Sequence, residues 1–88
     1  MNEKIHDVEI VKTDDIYLYL NVDKQAYRIR WADCSSKLTQ ANQTEREYME
    51  VSPSGYGLHW PLIDEDLAVT PLLKQAKKLP DELVQADG

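Results

Sequence analysis

The chain has one cysteine, Cys34. A lone cysteine cannot close an intramolecular disulfide, and a structural zinc site would need nearly all of its ligands from other residue types. A reduced thiol in a cytosolic protein is the expected state. As a nucleophile it would need a base beside it, and the two histidines, His6 and His59, stand at no spacing that forms a catalytic signature. Positive charge is also scarce. Ten Lys and Arg face sixteen Asp and Glu, for a formal net charge of -6 and a pI near 4.7, and Arg28, Arg30 and Arg46 are the only arginines. Such a surface repels phosphate backbones, so nucleic acid is disfavoured as a partner. No apolar run approaches the ~18 residues of a membrane-spanning helix, so no membrane partner is expected. Residues 1–7 are charged and poor in apolar side chains, unlike a secretory signal, which points to a cytoplasmic location. There is no internal repeat and no low-complexity segment.

What is present is the material of one small folded unit. Eighty-eight residues, 42% hydrophobic and 30% charged, suit a single core. The expected organisation is a single α+β domain over residues 1–79 and a mobile polar tail over 80–88. Residues 16–22 alternate apolar and polar side chains, and the alternation resumes at 26–31, as half-buried strands do. A two-residue loop at Asp23-Lys24 would set Leu20 opposite Tyr27, Leu18 opposite Ile29 and Ile16 opposite Trp31 on one face. The other face would then carry Tyr19 opposite Arg28 and Tyr17 opposite Arg30. A slip of one residue would turn Ile29 to solvent, so burial selects this register. The loop lacks the glycine that a two-residue turn favours, which leaves a longer or bulged loop open. A strand over 8–12, followed by the polar turn 13–15, completes a meander.

The second half reads as short helices. Thr44 with Glu47 has capping-box spacing and predicts a helix over 44–50. Ser52-Pro53-Ser54-Gly55 breaks it. Residues 56–60 read as extended, and Pro61 disfavours the helical conformation at Trp60. Thr70-Pro71 predicts the cap and first turn of another helix that ends in Lys77 and Lys78. The predicted fold is therefore α+β, with a three- to four-stranded antiparallel sheet and two short helices packed on one face.

The run Gly55-Tyr56-Gly57-Leu58-His59-Trp60-Pro61-Leu62-Ile63-Asp64-Glu65-Asp66, with Leu72-Leu73 after it, resembles the small bacterial domain-of-unknown-function family 2442. That family's signature is a glycine-aliphatic-His-Trp-Pro run followed by Asp-Glu-Asp. The resemblance spans about residues 8–73. The chain departs from the family where Asp23-Lys24 replaces an Asp-Gly turn, and where no proline precedes Leu38. The resemblance implies a small α+β domain, found alone or fused ahead of a helix-turn-helix domain. The sequence ends at Gly88 with no such module, so DNA reading by one is not expected. Stand-alone members often sit beside a gene for another small domain, which suggests a toxin–antitoxin-like pair. The family carries no catalytic residues over to this chain.

Three roles compete for His59, Trp60, Asp64, Glu65 and Asp66. In a structural role, Trp60 anchors a strand, Asp64 or Asp66 accepts backbone N–H groups in the turn, and a carboxylate or carbonyl holds His59. As a binding rim, Trp60 supplies area and the acidic triplet steers a basic partner. As an enzyme or metal site, His59 would work with Asp64 or Asp66, but adjacent carboxylates on one turn do not encircle a hard cation, and a chain this small has little room for a pocket. The expected function is accordingly a non-enzymatic protein-binding module, antitoxin-like or regulatory, whose partner is a small basic protein. No cofactor, metal ligand or catalytic residue is assigned. Tyr17, Tyr19, Arg28 and Arg30 form a second candidate surface, for a protein or, as the alternative, for nucleic acid. An exposed edge, at strand 8–12 or at the last strand, would also admit a homodimer.

Overall fold

The computed structural model describes residues 5–80. Among these residues seven strands and four short helices follow in the order β1 (Val8–Thr13), β2 (Tyr17–Val22), β3 (Gln25–Arg30), α1 (Trp31–Cys34), α2 (Ser36–Gln40), α3 (Gln43–Glu47), β4 (Glu50–Val51), β5 (Gly57–Trp60), β6 (Glu65–Ala68), α4 (Val69–Gln75) and β7 (Lys77–Leu79). The strands form two antiparallel sheets, β1-β2-β3-β7 and β4-β5-β6. The α+β class is as predicted. The second sheet and two further helices are additions, because β4 is two residues long and α1 and α2 are single turns, too brief to leave a periodic signal.

The β2–β3 hairpin has the register that burial selects, with Leu20 opposite Tyr27, Leu18 opposite Ile29, Tyr19 opposite Arg28 and Tyr17 opposite Arg30. Its loop is the tight two-residue form, with Asp23 and Lys24 both left-handed at φ 53° and 71°. Tertiary bonds hold the turn without glycine. The Asp23 carboxylate accepts the Asp7 N–H at 2.9 Å and lies 2.8 Å from His6 Nδ1, while the Asp23 N–H donates to the Asp7 carbonyl at 2.9 Å. The expected pairing of Ile16 with Trp31 persists in the backbone, where the Trp31 N–H donates to the Ile16 carbonyl at 2.9 Å, but the two side chains do not share the core face. One Asp14 oxygen accepts the N–H groups of Ile16 and Tyr17 at 2.9 and 2.7 Å, so Ile16 belongs to the turn and is 56% exposed. Trp31 leaves the strand to start α1, wholly buried, with its indole N–H on the Asp14 carbonyl at 2.9 Å.

A bulge in β1 has consequences for the outer surface. The register passes from Ile10 opposite Leu20 to Lys12 opposite Tyr19, so Val11 is the extra residue. Without it, simple alternation would place Lys12 on the inner face with Ile10. With it, Lys12 lies outside and sits over the Tyr19 ring at 4.8 Å.

The helices depart from prediction by a few residues, each for a local reason. The capping box is Asn42 with Glu45, two residues before Thr44: Asn42 Oδ1 accepts the Glu45 N–H at 2.8 Å and Glu45 Oε1 accepts the Asn42 N–H at 2.9 Å. Helix α3 ends at Glu47 rather than 50, which frees Glu50 and Val51 to pair with β5. Helix α4 begins at Val69 with no side-chain cap, because its N-cap residue is Ala68; Thr70, the expected cap, lies inside the first turn with its hydroxyl 2.9 Å from His6 Nε2. It stops at Gln75, and Lys77–Leu79 crosses to pair with β3 instead of extending the helix. Pro80 favours an extended Leu79, and an extended Ala76 (ψ 157°) turns the chain. The tail expected over 80–88 lies outside the described residues except for Pro80.

One core joins the two sheets. Leu18, Leu20, Val22 and Ile29 from the large sheet meet Leu58 and Trp60 from the small one, closed by Trp31, Leu38, Val69 and Leu72 from the helices. Helix α4 touches β3, β6 and α1 and so bridges the layers. Arg46 in α3 ties the far side. Its guanidinium donates to the carbonyls of Leu38, Asp15 and Thr39, each at 3.0 Å, and lies 5.3 Å from the Trp31 ring, while its own carbonyl accepts the Trp60 indole N–H at 3.1 Å. At the opposite end the N–H groups of Ile5 and His6 reach the Ser54 carbonyl, and Gly55 (φ 74°) lies so close that a Cβ would stand 1.8 Å from the His6 oxygen. Only glycine fits there.

Candidate functional site

Alternation along β5 divides the signature block between two faces. Leu58 and Trp60 point inward and are buried, whereas Gly57 and His59 point outward. Trp60 is therefore core, with its N–H satisfied by Arg46, and presents no surface to a partner; of the candidate rim residues it alone is fully enclosed. His59 is partly exposed. It faces Asp66 on β6 and Glu50 on β4, so Glu50, His59 and Asp66 make one cross-strand row on the outer face of the small sheet. His59 Nδ1 lies 2.6 Å from Asp66 Oδ1, and the side chains are 38% and 75% exposed. A carboxylate holding Nδ1 aims Nε2 away from it, toward solvent.

The other two acids do separate things. Asp64 is exposed in a left-handed turn position at φ 53°, and its backbone carbonyl accepts the Lys37 ammonium at 2.9 Å. Glu65 is opposite the buried Trp60, half-buried, with Oε1 accepting the Asp66 N–H at 3.2 Å. The backbone N–H found on a carboxylate in this block thus goes to Glu65, not to Asp64 or Asp66.

Next to the row, Gly57 and Ala68 stand opposite one another on the same outer face, one with no side chain and the other with a methyl. They floor an open recess of about 560 Å³ that Tyr56 and Pro53 border on one side and Glu50, His59 and Asp66 on the other. Tyr56 is 58% exposed. The recess thus combines an apolar floor with an acidic border. The sequence hid Glu50, Gly57 and Ala68 as members of this site, and left open whether His59 is buried or exposed, because their meeting depends on strand pairing between segments separated by loops.

The second candidate surface is the outer face of the large sheet. Tyr17 and Tyr19 are tilted at 58° with ring centres 5.9 Å apart, and the Arg28 guanidinium covers the Tyr17 ring at 4.4 Å. Arg30 is bound to Asp33 through two nitrogens, at 2.9 and 3.2 Å. The sequence did not announce that Lys12 and Lys77 join them. The bulge brings the first, and β7 pairing sets the second opposite Arg28.

Cys34 takes part in neither face. Burial, aided by the neighbouring Asp33 charge, pushes its thiol up to about 12, the opposite of what a nucleophile needs. Among the described residues no group of three or more His, Cys, Asp or Glu is placed to hold a metal ion. None of their helices is long and apolar enough to cross a membrane.

These features define a small α+β domain that keeps two polar sheet faces open to solvent. The chain belongs to the DUF2442 family, described as proteins of unknown function, whose pattern matches residues 6–78. No curated protein and no solved structure matches the chain.

Proposed function

We propose that this protein is a non-enzymatic binding module that acts in the cytoplasm as a regulatory or antitoxin-like partner of a basic protein. The partner docks on the outer face of the small sheet. The observation that carries the reading is the exposed Glu50–His59–Asp66 row beside the Gly57/Ala68 recess. An arginine or lysine side chain laid across it would rest its aliphatic stem on the Gly57/Ala68 floor and its charged head between the carboxylates. The net charge of -6 assists encounter with a basic surface.

The test is recovery of the tagged protein from its host at about 50 mM and about 150 mM salt, beside a Glu50→Lys/Asp66→Lys double variant. The expected result is a stoichiometric basic protein captured by the native chain at both salts and lost from the variant. Equal capture by the variant, or no stoichiometric basic protein at either salt, overturns the reading.

A further inference from the structure

Three of the four cations on the outer face of the large sheet, Lys12, Arg28 and Lys77, form no ion pair among the described residues, on a chain where acids dominate. Arg28 and Lys77 stand directly opposite each other on β3 and β7, a like-charge pair that costs stability by itself. Among the described residues no carboxylate lies in ion-pair distance of Arg28, Lys77 or Lys12; only Arg30 has one, in Asp33. Between Tyr17, Arg28, Arg30, Asp33, Gln75 and Lys77 lies a hollow of about 180 Å³; its own carboxylate, Asp33, is held by Arg30, which leaves Arg28 and Lys77 as its unpaired cations. It adjoins β7, which among the described residues ends the sheet and pairs with β3 alone, so the backbone groups on the outer side of this three-residue strand have no ladder partner there. Lys77 and Lys78 are exposed on that strand and project to opposite faces.

Lysines on an edge strand discourage indiscriminate strand pairing, because an incoming neutral or basic strand would desolvate or repel them. An acidic strand meets the reverse. We propose that the β7 edge and the hollow beside it receive an extended acidic segment of another protein as a fifth strand. A carboxylate opposite Lys77 falls on the outer face, within the Arg28/Lys77 hollow, and one opposite Lys78 falls on the other face. Main-chain bonds supply the affinity and the alternate carboxylates supply the selectivity. Nucleic acid fits less well: Arg28 covers the Tyr17 ring and Lys12 the Tyr19 ring, leaving little open aromatic face for bases, and the net charge opposes a polyphosphate. This surface is separate from the small-sheet row and stands or falls without it.

The experiment follows backbone amide resonances of the full chain at about 50 mM salt. The probes are a Glu-rich ten-residue peptide, a Lys-rich peptide, a thymidine decamer and inorganic phosphate. Expected is a saturable shift at Lys77, Lys78 and Leu79 with the Glu-rich peptide, and at least about tenfold weaker binding to Arg28→Glu and Lys77→Glu. Arg28→Gln and Lys77→Gln, compared by thermal unfolding, separate lost binding from lost folding. The proposal is overturned by equal shifts with the Lys-rich peptide, with the thymidine decamer or with phosphate alone. It is also overturned by shifts that the charge reversals leave intact, or that appear on concentrating the protein without any probe, which would make a second copy the occupant.

Discussion

The Asp14 carboxylate accepts two successive backbone N–H groups through one oxygen, while the Asp14 carbonyl takes the Trp31 indole. The Tyr17 N–H is the largest influence holding this carboxyl below its usual value of 3.8; burial, the next largest, opposes it, and the Ile16 N–H, the Tyr19 hydroxyl and the Lys12 charge reinforce the lowering. A carboxyl whose pKa is depressed on folding stabilises the native state fully above its unfolded pKa, and that stability is lost as pH falls through the lower folded value. Asp23, held down by the Asp7 N–H and by His6, acts with the same sign. The expected outcome is that the native chain loses stability to urea from about pH 4 downward and that Asp14→Asn loses less over the same range. Parallel pH profiles for the two chains would show that the Asp14 bonds do not set acid stability. Polar turn chemistry at 13–15 was legible because Asp side chains commonly cap their own backbone; the indole bond to the same residue was not, because it joins positions 17 residues apart.

At the scale of elements, the β2–β3 hairpin carries a visible cost. Two non-glycine residues in the left-handed region are strained by roughly 1 kcal/mol each. Asp23 is repaid by its bonds to Asp7 and His6, but no hydrogen bond of the Lys24 side chain compensates its φ of 71°. Lys24→Gly relieves that strain while adding freedom to the unfolded chain, for a net gain of about 0–0.6 kcal/mol. In a domain of this size the melting temperature should hold or rise, by at most about 5 °C. A fall on calorimetry would mean that Lys24 makes a contribution absent from its backbone geometry. The hairpin's register was readable because it leaves each face self-consistent. The end of α4 was not, because Lys77 and Lys78 suit a helix terminus as well as an edge strand, and the choice lies with the open edge of β3.

For the whole molecule, Arg46 joins pieces of chain that the sheets do not connect. Its fork holds the last-turn carbonyls of α2 and the β1–β2 turn, it lies on Trp31, and its carbonyl receives Trp60. Arg46→Ala leaves three carbonyls without their charged donor and is expected to cost about 2–4 kcal/mol, read from urea unfolding followed by tryptophan fluorescence. Arg46→Lys should restore less than half, since an ammonium lacks the planar fork that spans three acceptors. Full restoration by lysine would assign the effect to charge alone. Nothing in the order Thr44-Glu45-Arg46-Glu47 distinguishes this arginine from a solvated helix residue, because all three acceptors are backbone atoms brought together by packing.

Alternation and hydrophobic pattern carried the α+β class and the hairpin register, because each follows from the period of a strand and from which face must leave water; whether Trp60 and His59 face the core or solvent was decided by the structure. The second sheet, the β1 bulge that moves Lys12 outward, the transfer of residues 77–79 from helix to edge strand and the Glu50–His59–Asp66 row rest on pairings between segments distant along the chain. Such pairings are chosen by which unpaired backbone edges and apolar faces remain once the local elements exist, and no local pattern records that choice.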